Sequence, residues 1–505
     1  MDTTTGPLRG RTDPAAPRAG RREWTAFAVL MLPLLLVSMD VSVLYFAIPF
    51  ISEDLRPSST QQLWILDMYG FVLAGLLITM GALGDRIGRR RLVLAGAAVF
   101  GLASAAAAYA DSPQLLIAVR ALLGVGGAAL MPSTLALIRN LFHDERQRAQ
   151  AVTAWTGVMT VGISFGPVVS GALLERFWWG SVFLVNLPAM LLLLVLAPLL
   201  LPEVKQPAAG RFDWPSAALS LAGLLPLIQG IKQLARDGAG LAPVVYLVCG
   251  LALLYVFVRR QSLLAHPLVD LELIRRRTFG GAVLANLFAI AATVGMAVFL
   301  TQYLQTVLGR SPLHAALWSL VPAAGAFVGA PSGAALARRH DRGTVMAGGF
   351  AVSACGFLAL TQVRTDSALW FTLTVCAVYT CGLVAAMSLA NELALGAAPP
   401  ERAGSAAAVL EAGQELGGAL GMAVLGSLGA AVYRHGMAGA PAPARETLGG
   451  AVALARGDAG VAASAYTAFT RGLDWAALGA AGLMVGAGVL ALLLLRGPSG
   501  ARRTG

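Results

Sequence analysis

The chain has 505 residues, 57% of them hydrophobic and only 12% charged, with a mean hydropathy of +0.72 and a formal net charge of +11. No soluble domain of this size carries so little charge, so the composition is that of a polytopic membrane protein. The basic excess does not point to nucleic acid, because the Lys and Arg fall in short clusters between apolar runs, where they orient helices.

Residues 1–23 hold no apolar stretch and are rich in Pro, Gly, Thr and Arg, the composition of a disordered cytoplasmic tail. A membrane-length apolar run from Trp24 to Phe50 follows, broken by one carboxylate, Asp40. The run is longer than the roughly 7 to 15 residues of a signal-peptide core, so the helix is expected to be retained. An ionised side chain at bilayer depth costs roughly 2.5 to 3.5 kcal/mol, so such residues face protein-lined cavities and carry ions, protons or substrate. Asp40 is therefore read as lining a transport pathway; the plainer alternative is an acid hydrogen-bonded in a helix interface.

Further runs of about 20 apolar residues place helices near 62–82, 92–110, 114–137, 149–173, 181–201, 215–234 and 242–258. A second series lies near 280–303, 313–336, 344–362, 369–391, 404–430 and 474–495, which makes fourteen. Residues 434–472 are too polar to span, and form either short helices or a flexible loop outside the cell. The arginine clusters at Arg86 to Arg91, Arg139 to Arg148, Arg259 to Arg277 and Arg338 to Arg342 all fall on the side of the N-terminus. That side holds 26 Lys and Arg against 10 on the other, with Arg120 inside a helix, so both termini are expected in the cytoplasm. The four cysteines, Cys249, Cys355, Cys376 and Cys381, lie inside apolar segments and read as small hydrophobes.

Between helices 2 and 3 stands Gly81-Ala-Leu-Gly-Asp85-Arg86-Ile-Gly88-Arg89-Arg90-Arg91, which resembles the signature loop of the major facilitator superfamily. Arg120-Ala-Leu-Leu-Gly124-Val-Gly126-Gly127 in helix 4 is similar to the arginine motif of its proton-coupled members. Helix 5 carries Gly157, Gly162, Gly166-Pro167 and Gly171, which resemble the antiporter motif of exporters, with Ser170 in place of one of its paired glycines. The strings around Asp40 (Ser38 to Pro49) and Asp67 (Leu63 to Tyr69) resemble the fourteen-helix drug:proton antiporters, within which the chain is most similar to multidrug exporters of quaternary ammonium compounds and cationic dyes. The resemblance runs from about Trp24 to Leu495. It implies an all-α major facilitator fold, alternating access driven by the proton gradient without a cofactor, and a gating role for Gly81, Asp85, Arg86, Gly88, Arg89 and Arg90. For Asp85 the plainer reading is a solvated loop acid.

An echo of the signature loop at Gly333 to Gly343, with Ala337 in the place of Asp85, lies 252 positions on. Two six-helix halves, 24–201 and 263–496, with a two-helix insertion at 202–262 and a short tail at 497–505, account for that offset.

Apart from helix ends, five charges stand within the spans: Asp40, Asp67, Arg120, Glu411 and Glu415. At 1.5 Å per residue Asp40 lies roughly 15 Å, and Asp67 and Arg120 roughly 10 Å, below the outer ends of their helices. They are expected to share one outer-half cavity and to hold a proton whose affinity follows water access; Asp67 as a water-exposed interfacial acid is the alternative. Glu411 and Glu415 are four apart and share a face, while Gly413, Gly417 and Gly421 form a close-packing stripe turned about 200° from them. That face is expected to offer carboxylates to a cationic substrate, unless one of the two only bonds a neighbouring helix.

The two lysines, Lys205 and Lys232, follow no phosphate-loop pattern, and the five histidines have no metal spacing. The expected protein is a monomeric proton-coupled efflux antiporter, not an enzyme, whose partners are small drug or metabolite molecules, protons and the bilayer. A dedicated exporter of one self-made antibiotic or metabolite, or a non-transporting membrane sensor, are the competing readings.

Overall fold

The computed structural model describes residues 19–203, 213–238, 240–264, 271–397, 403–454 and 459–495. Of the tail expected at 1–23, residues 1–18 lie outside these residues, as does the tail at 497–505, whereas residues 21–23 already belong to the first helix, with Glu23 in its first turn. Among the described residues every regular element is helical. Thirteen helices are long and apolar enough to cross a membrane, and a fourteenth is the pair Ser59–Leu77 and Thr79–Ile87, bent by 51° where they meet.

The spanning helices are α1 (Arg21–Asp54), α2 (Ser59–Ile87), α3 (Arg89–Ala108), α4 (Pro113–Leu141), α5 (Glu145–Leu174), α6 (Ser181–Leu200), α7 (Trp214–Asp237) and α8 (Leu241–Leu263). There follow α9 (Arg277–Val307), α10 (Pro312–Ala337), α11 (Arg342–Leu360) and α12 (Leu369–Ala397). Helix α13 (Ala403–Gly421) continues through a π-helical turn, Met422–Gly426, into Ser427–Gly436, and α14 (Ala459–Leu494) closes the bundle. Local chemistry sets the starts: Asp144 caps α5 by accepting from the Gln147 amide at 2.9 Å, and Pro113 opens α4 where its missing N–H is not needed.

The segment expected as a polar connection at 434–472 is mostly helical. It holds Ala442–Glu446 and Leu448–Leu454, and α14 starts fifteen residues earlier than hydropathy places it. With 36 residues, α14 is about 54 Å long against a hydrocarbon core of about 30 Å, so its first turns project beyond the apolar layer. A search for apolar runs sees only the embedded part.

Helix α1 packs on α5, α2 on α4, and α3 on α4 and α6; the same pairs recur eight helices later as α9 on α13, α10 on α12, and α11 on α12 and α14. Helices α7 and α8 pack on each other, with α7 laid against α2 and α13. The first six helices meet the last six where α1 touches α9, α2 touches α13 and α5 touches α10.

Many of these bridges lie at the face opposite the termini. Glu175 at the end of α5 accepts from the Ser311 hydroxyl at 2.6 Å, and Glu446 accepts from the Ser59 amide and hydroxyl at 3.0 Å. Arg434 of α13 donates to the same Ser59 hydroxyl at 2.6 Å. Beneath them lies a cavity of about 50 Å³ bordered by Gln62, Phe299, Gln302 and Tyr433, room for water and not for a drug. At the face of the termini Asp85 pairs with Arg89, Glu203 with Arg90 and Arg91, Asp213 with Arg260, and Arg342 with Glu392, each within one group of helices.

Candidate functional site

Asp40, 6% exposed, projects from the middle of α1, and Arg120, 1% exposed, meets it from α4 in a direct ion pair. The Arg120 Nε also donates to the Ile65 carbonyl of α2 at 3.1 Å, and its guanidinium lies 4.8 Å from the centroid of Tyr69. The Tyr69 hydroxyl donates in turn to the Val37 carbonyl at 3.3 Å. One guanidinium thus ties α1, α2 and α4 together, using the planar donor fork and aromatic stacking that a lysine lacks. Removing one member of such a pair strands a buried charge.

Asp67 does not share that ion pair. Its carboxylate is 2.8 Å from the Lys232 ammonium of α7, with both side chains removed from solvent. Lys232 corrects the reading of five charges within the spans, and the reading of Arg120 as the sole basic group. It lies near the end of a hydropathy segment, where a long cation reaches water by extending its stem; packing of α7 against α2 buries it instead. The tool that finds it in sequence is the helical register of α7, where Ile228, Gln229 and Lys232 share one face.

Helix α13 presents two opposed faces, as its spacing predicts. Gly417 sits against the Leu287 backbone of α9 so closely that an added Cβ would lie 2.6 Å from the Leu287 carbonyl oxygen, and Gly421 meets Ala291 in the same way. Away from that stripe, Glu411 and Glu415 are half-buried. The buried Oε1 of Glu411 has no hydrogen-bond partner among the described residues, and Glu415 lies within electrostatic reach of Tyr45 of α1 and Tyr69 of α2.

Beside them is an amide cluster that sequence reasoning passed over. Asn286 of α9 and Gln414 of α13 both donate to the Asn391 carbonyl oxygen of α12, at 3.0 and 3.3 Å. Its signal was available: uncharged polar side chains within apolar runs also need partners.

The antiporter-motif residues line α5. Gly162 and Gly166 seat α5 against Leu35, Met39 and Ser42 of α1, and Gly171 seats it against Pro312 and Leu313 of α10. Ser170, in place of a glycine, donates to the Val43 carbonyl at 3.0 Å. Pro167 lies inside the helix, where it removes a backbone hydrogen bond. At Gly157, by contrast, nothing among the described residues stands within 4 Å of the Cβ position. In the signature loop, Gly88 takes φ +110° between α2 and α3, a conformation suited to glycine, and its missing Cβ leaves room for the Glu203 carboxylate. Gly81 makes ordinary contact with Pro132, Asp85 pairs at 2.6 Å with Arg89 four residues on, and Arg90 donates to the Leu201 carbonyl at 3.1 Å. Arg86 stands in the last turn of α2.

A bundle of thirteen or fourteen membrane-length helices with ion pairs buried between them defines a multi-pass membrane protein. The chain belongs to the Major Facilitator Superfamily, whose family model matches residues 30–422. It is similar to the multidrug efflux pump LfrA of Mycolicibacterium smegmatis, at 42% identity over 88% of this chain and 89% of LfrA. It is also similar to the methyl viologen resistance protein SmvA of Salmonella typhimurium, at 36% identity over 81% of this chain and 82% of SmvA. The inward-facing, unoccupied crystal structure of a bacterial homologue of the human lysosomal transporter Spinster matches with a TM-score of 0.67 at 17% identity, over 94% of this chain and 97% of that one, a likeness of fold. The protein is thus a homologue of multidrug efflux pumps and not an enzyme.

Proposed function

We propose that the protein is a proton-coupled efflux antiporter that exports hydrophobic cations by alternating access. In this reading it is a monomer with both termini cytoplasmic, built as two six-helix halves, 24–201 and 263–496, with 202–262 inserted. The observation that carries the reading is the contrast among the buried acids. Asp40 and Asp67 each face a resident cation, whereas Glu411 and Glu415 share one face of α13 and Glu411 keeps a buried oxygen without a partner. A half-buried acid pair with no counter-ion among the described residues is a site for a cation from outside the protein. The name of the relative SmvA agrees with this, since methyl viologen is an organic dication.

The two glutamates repel when both are ionised, so one holds a proton until a cation displaces it. Asp40, beside Arg120, is the second proton station, and its affinity changes as water reaches it. The Gly162 and Gly166 contacts hold α5 on α1 so that the Asp40 helix and the α5–α10 contact at Gly171 move together. Closure at the face opposite the termini corresponds, with the termini cytoplasmic, to a form that loads from the cytoplasm. Asp85, paired locally here, becomes the latch between halves when the cytoplasmic face closes.

The test is accumulation of ethidium by everted membrane vesicles with and without an acid-inside pH gradient. Gradient-dependent uptake is expected, and its absence from vesicles holding folded protein would overturn the reading. A dedicated exporter of one metabolite would instead show a substrate profile restricted to that molecule.

A further inference from the structure

Lys232 is 1% exposed and stands between two groups of α2: the Asp67 carboxylate at 2.8 Å and the Trp64 ring, whose centroid is 3.9 Å away. The same faces carry a second tie, from the Trp64 indole N–H to the Gln229 carbonyl oxygen at 2.8 Å, and a third from the Ser220 hydroxyl to the Gly75 carbonyl at 3.3 Å. Trp64 and Asp67 are three apart on α2, Gln229 and Lys232 three apart on α7, so two helix faces meet in register. A carboxylate with an indole face is also the chemistry that binds an organic cation. Here that box is filled from within.

Resting on the transporter reading above, we propose that Lys232 and Asp67 form a closed pair that exchanges neither proton nor substrate cation during transport, and that Lys232 is a positioning residue fastening α7 and α8 to α2. The pair is net-neutral whichever of its two groups holds the shared proton. Taking up a second proton would leave a buried ammonium uncompensated, at several kcal/mol. A drug cation must displace an amine that is tethered at the site and already in contact with the carboxylate. Asp67, which resembles a coupling acid in sequence, is thereby taken out of the relay. Proton and cation traffic is left to Asp40, Glu411 and Glu415. The ties from α7 to α2 include this buried ion pair, and α7 also meets α13 through a hydrogen bond from Arg434 to the Ala235 carbonyl at 3.0 Å and through apolar contact around Ile228. The buried pair holds the inserted helices to α2 during turnover.

The test is a double-mutant cycle on the full-length protein, read by thermal unfolding in detergent and by protons moved per ethidium in reconstituted vesicles. Lys232→Met and Asp67→Asn are each expected to lower the melting temperature and to cut transport at least tenfold. The double variant is expected to recover stability and to transport within about threefold of the parent, with the parent's proton-to-ethidium ratio. A double variant that transports with one proton fewer per ethidium would make Asp67 a carrier and overturn the proposal; so would a Lys232→Met variant indistinguishable from the parent. Should the variants not fold, carbodiimide modification of the parent decides. Asp67 unmodified, or modified equally with and without ethidium, supports the closed pair, and ethidium protection of Asp67 refutes it. A parent that moves no ethidium at all would count against the transport reading, while the stability cycle still tests the pair.

Discussion

Arg120 closes on Asp40 with both side chains all but withdrawn from solvent, 2% and 4% exposed, and it does so while donating to the backbone of a third helix. The acid is therefore held by a group that keeps its own charge, and in the proposed scheme Asp40 carries the proton. Asp40→Asn is expected to insert and fold with a lowered melting temperature, because the amide oxygen still accepts from Arg120 but leaves its charge uncompensated, and to lose gradient-driven efflux. Transport near the parent's level at equal expression would remove Asp40 from the coupling scheme. Arg120→Ala strands a buried carboxylate and is expected to destabilise by about 3 to 5 kcal/mol, read as a lowered melting temperature.

The α5 motif makes a contrasting pair of predictions. A Cβ at Gly162 meets the Leu35 carbonyl oxygen at 2.7 Å and the Ser38 Cβ at 2.8 Å, whereas one at Gly157 meets nothing within 4 Å. Gly162→Ala is expected to cost about 1 to 3 kcal/mol by forcing α5 off α1. Gly157→Ala is expected to leave stability unchanged or raise it by up to about 1 kcal/mol, through the better helix propensity of alanine. Thermal unfolding of the two variants side by side checks both; equal losses would mean that the α1–α5 contact does not set the packing.

Asp85→Asn removes the partner of Arg89 in the signature loop. It is expected to slow turnover severalfold while ethidium affinity at equilibrium stays within about twofold of the parent. Loss of binding in step with transport would place Asp85 in the substrate site instead of the gate.

How much of this was legible in the sequence depends on the range of the interaction. As lone charges in apolar runs, Asp40, Asp67 and Arg120 were readable as a buried group, but helix rise set Arg120 level with Asp67 and not with Asp40, so the pair that forms was not singled out. The opposed faces of α13 were readable because Gly413, Gly417 and Gly421 and the two glutamates follow one helical period. Lys232 was not, since its role depends on which helix the insertion leans against, and an apolar scan treats a cation near a helix end as solvated. The early start of α14 at Ala459 was hidden for a related reason: its Ala-, Ser- and Thr-containing first turns are helical without being apolar. Nor does hydropathy register the 51° bend in α2 or the π-helical turn at Met422–Gly426, which change direction and pitch but not composition.

The central claim is that the α13 glutamates receive the transported cation, and it is tested most directly by comparing a monocation with a dication of matched size. Transport of ethidium's monovalent type and of a dication with separated charges is measured in everted vesicles for the parent, Glu411→Gln and Glu415→Gln. One remaining carboxylate still neutralises a monocation, whereas a dication loses half of its counter-charge. Each single variant is therefore expected to lose dication transport by about tenfold to a hundredfold, about 1.4 to 2.7 kcal/mol, with a smaller loss for the monocation. If both variants move both cations as the parent does, the glutamates are packing residues and the cation site lies elsewhere.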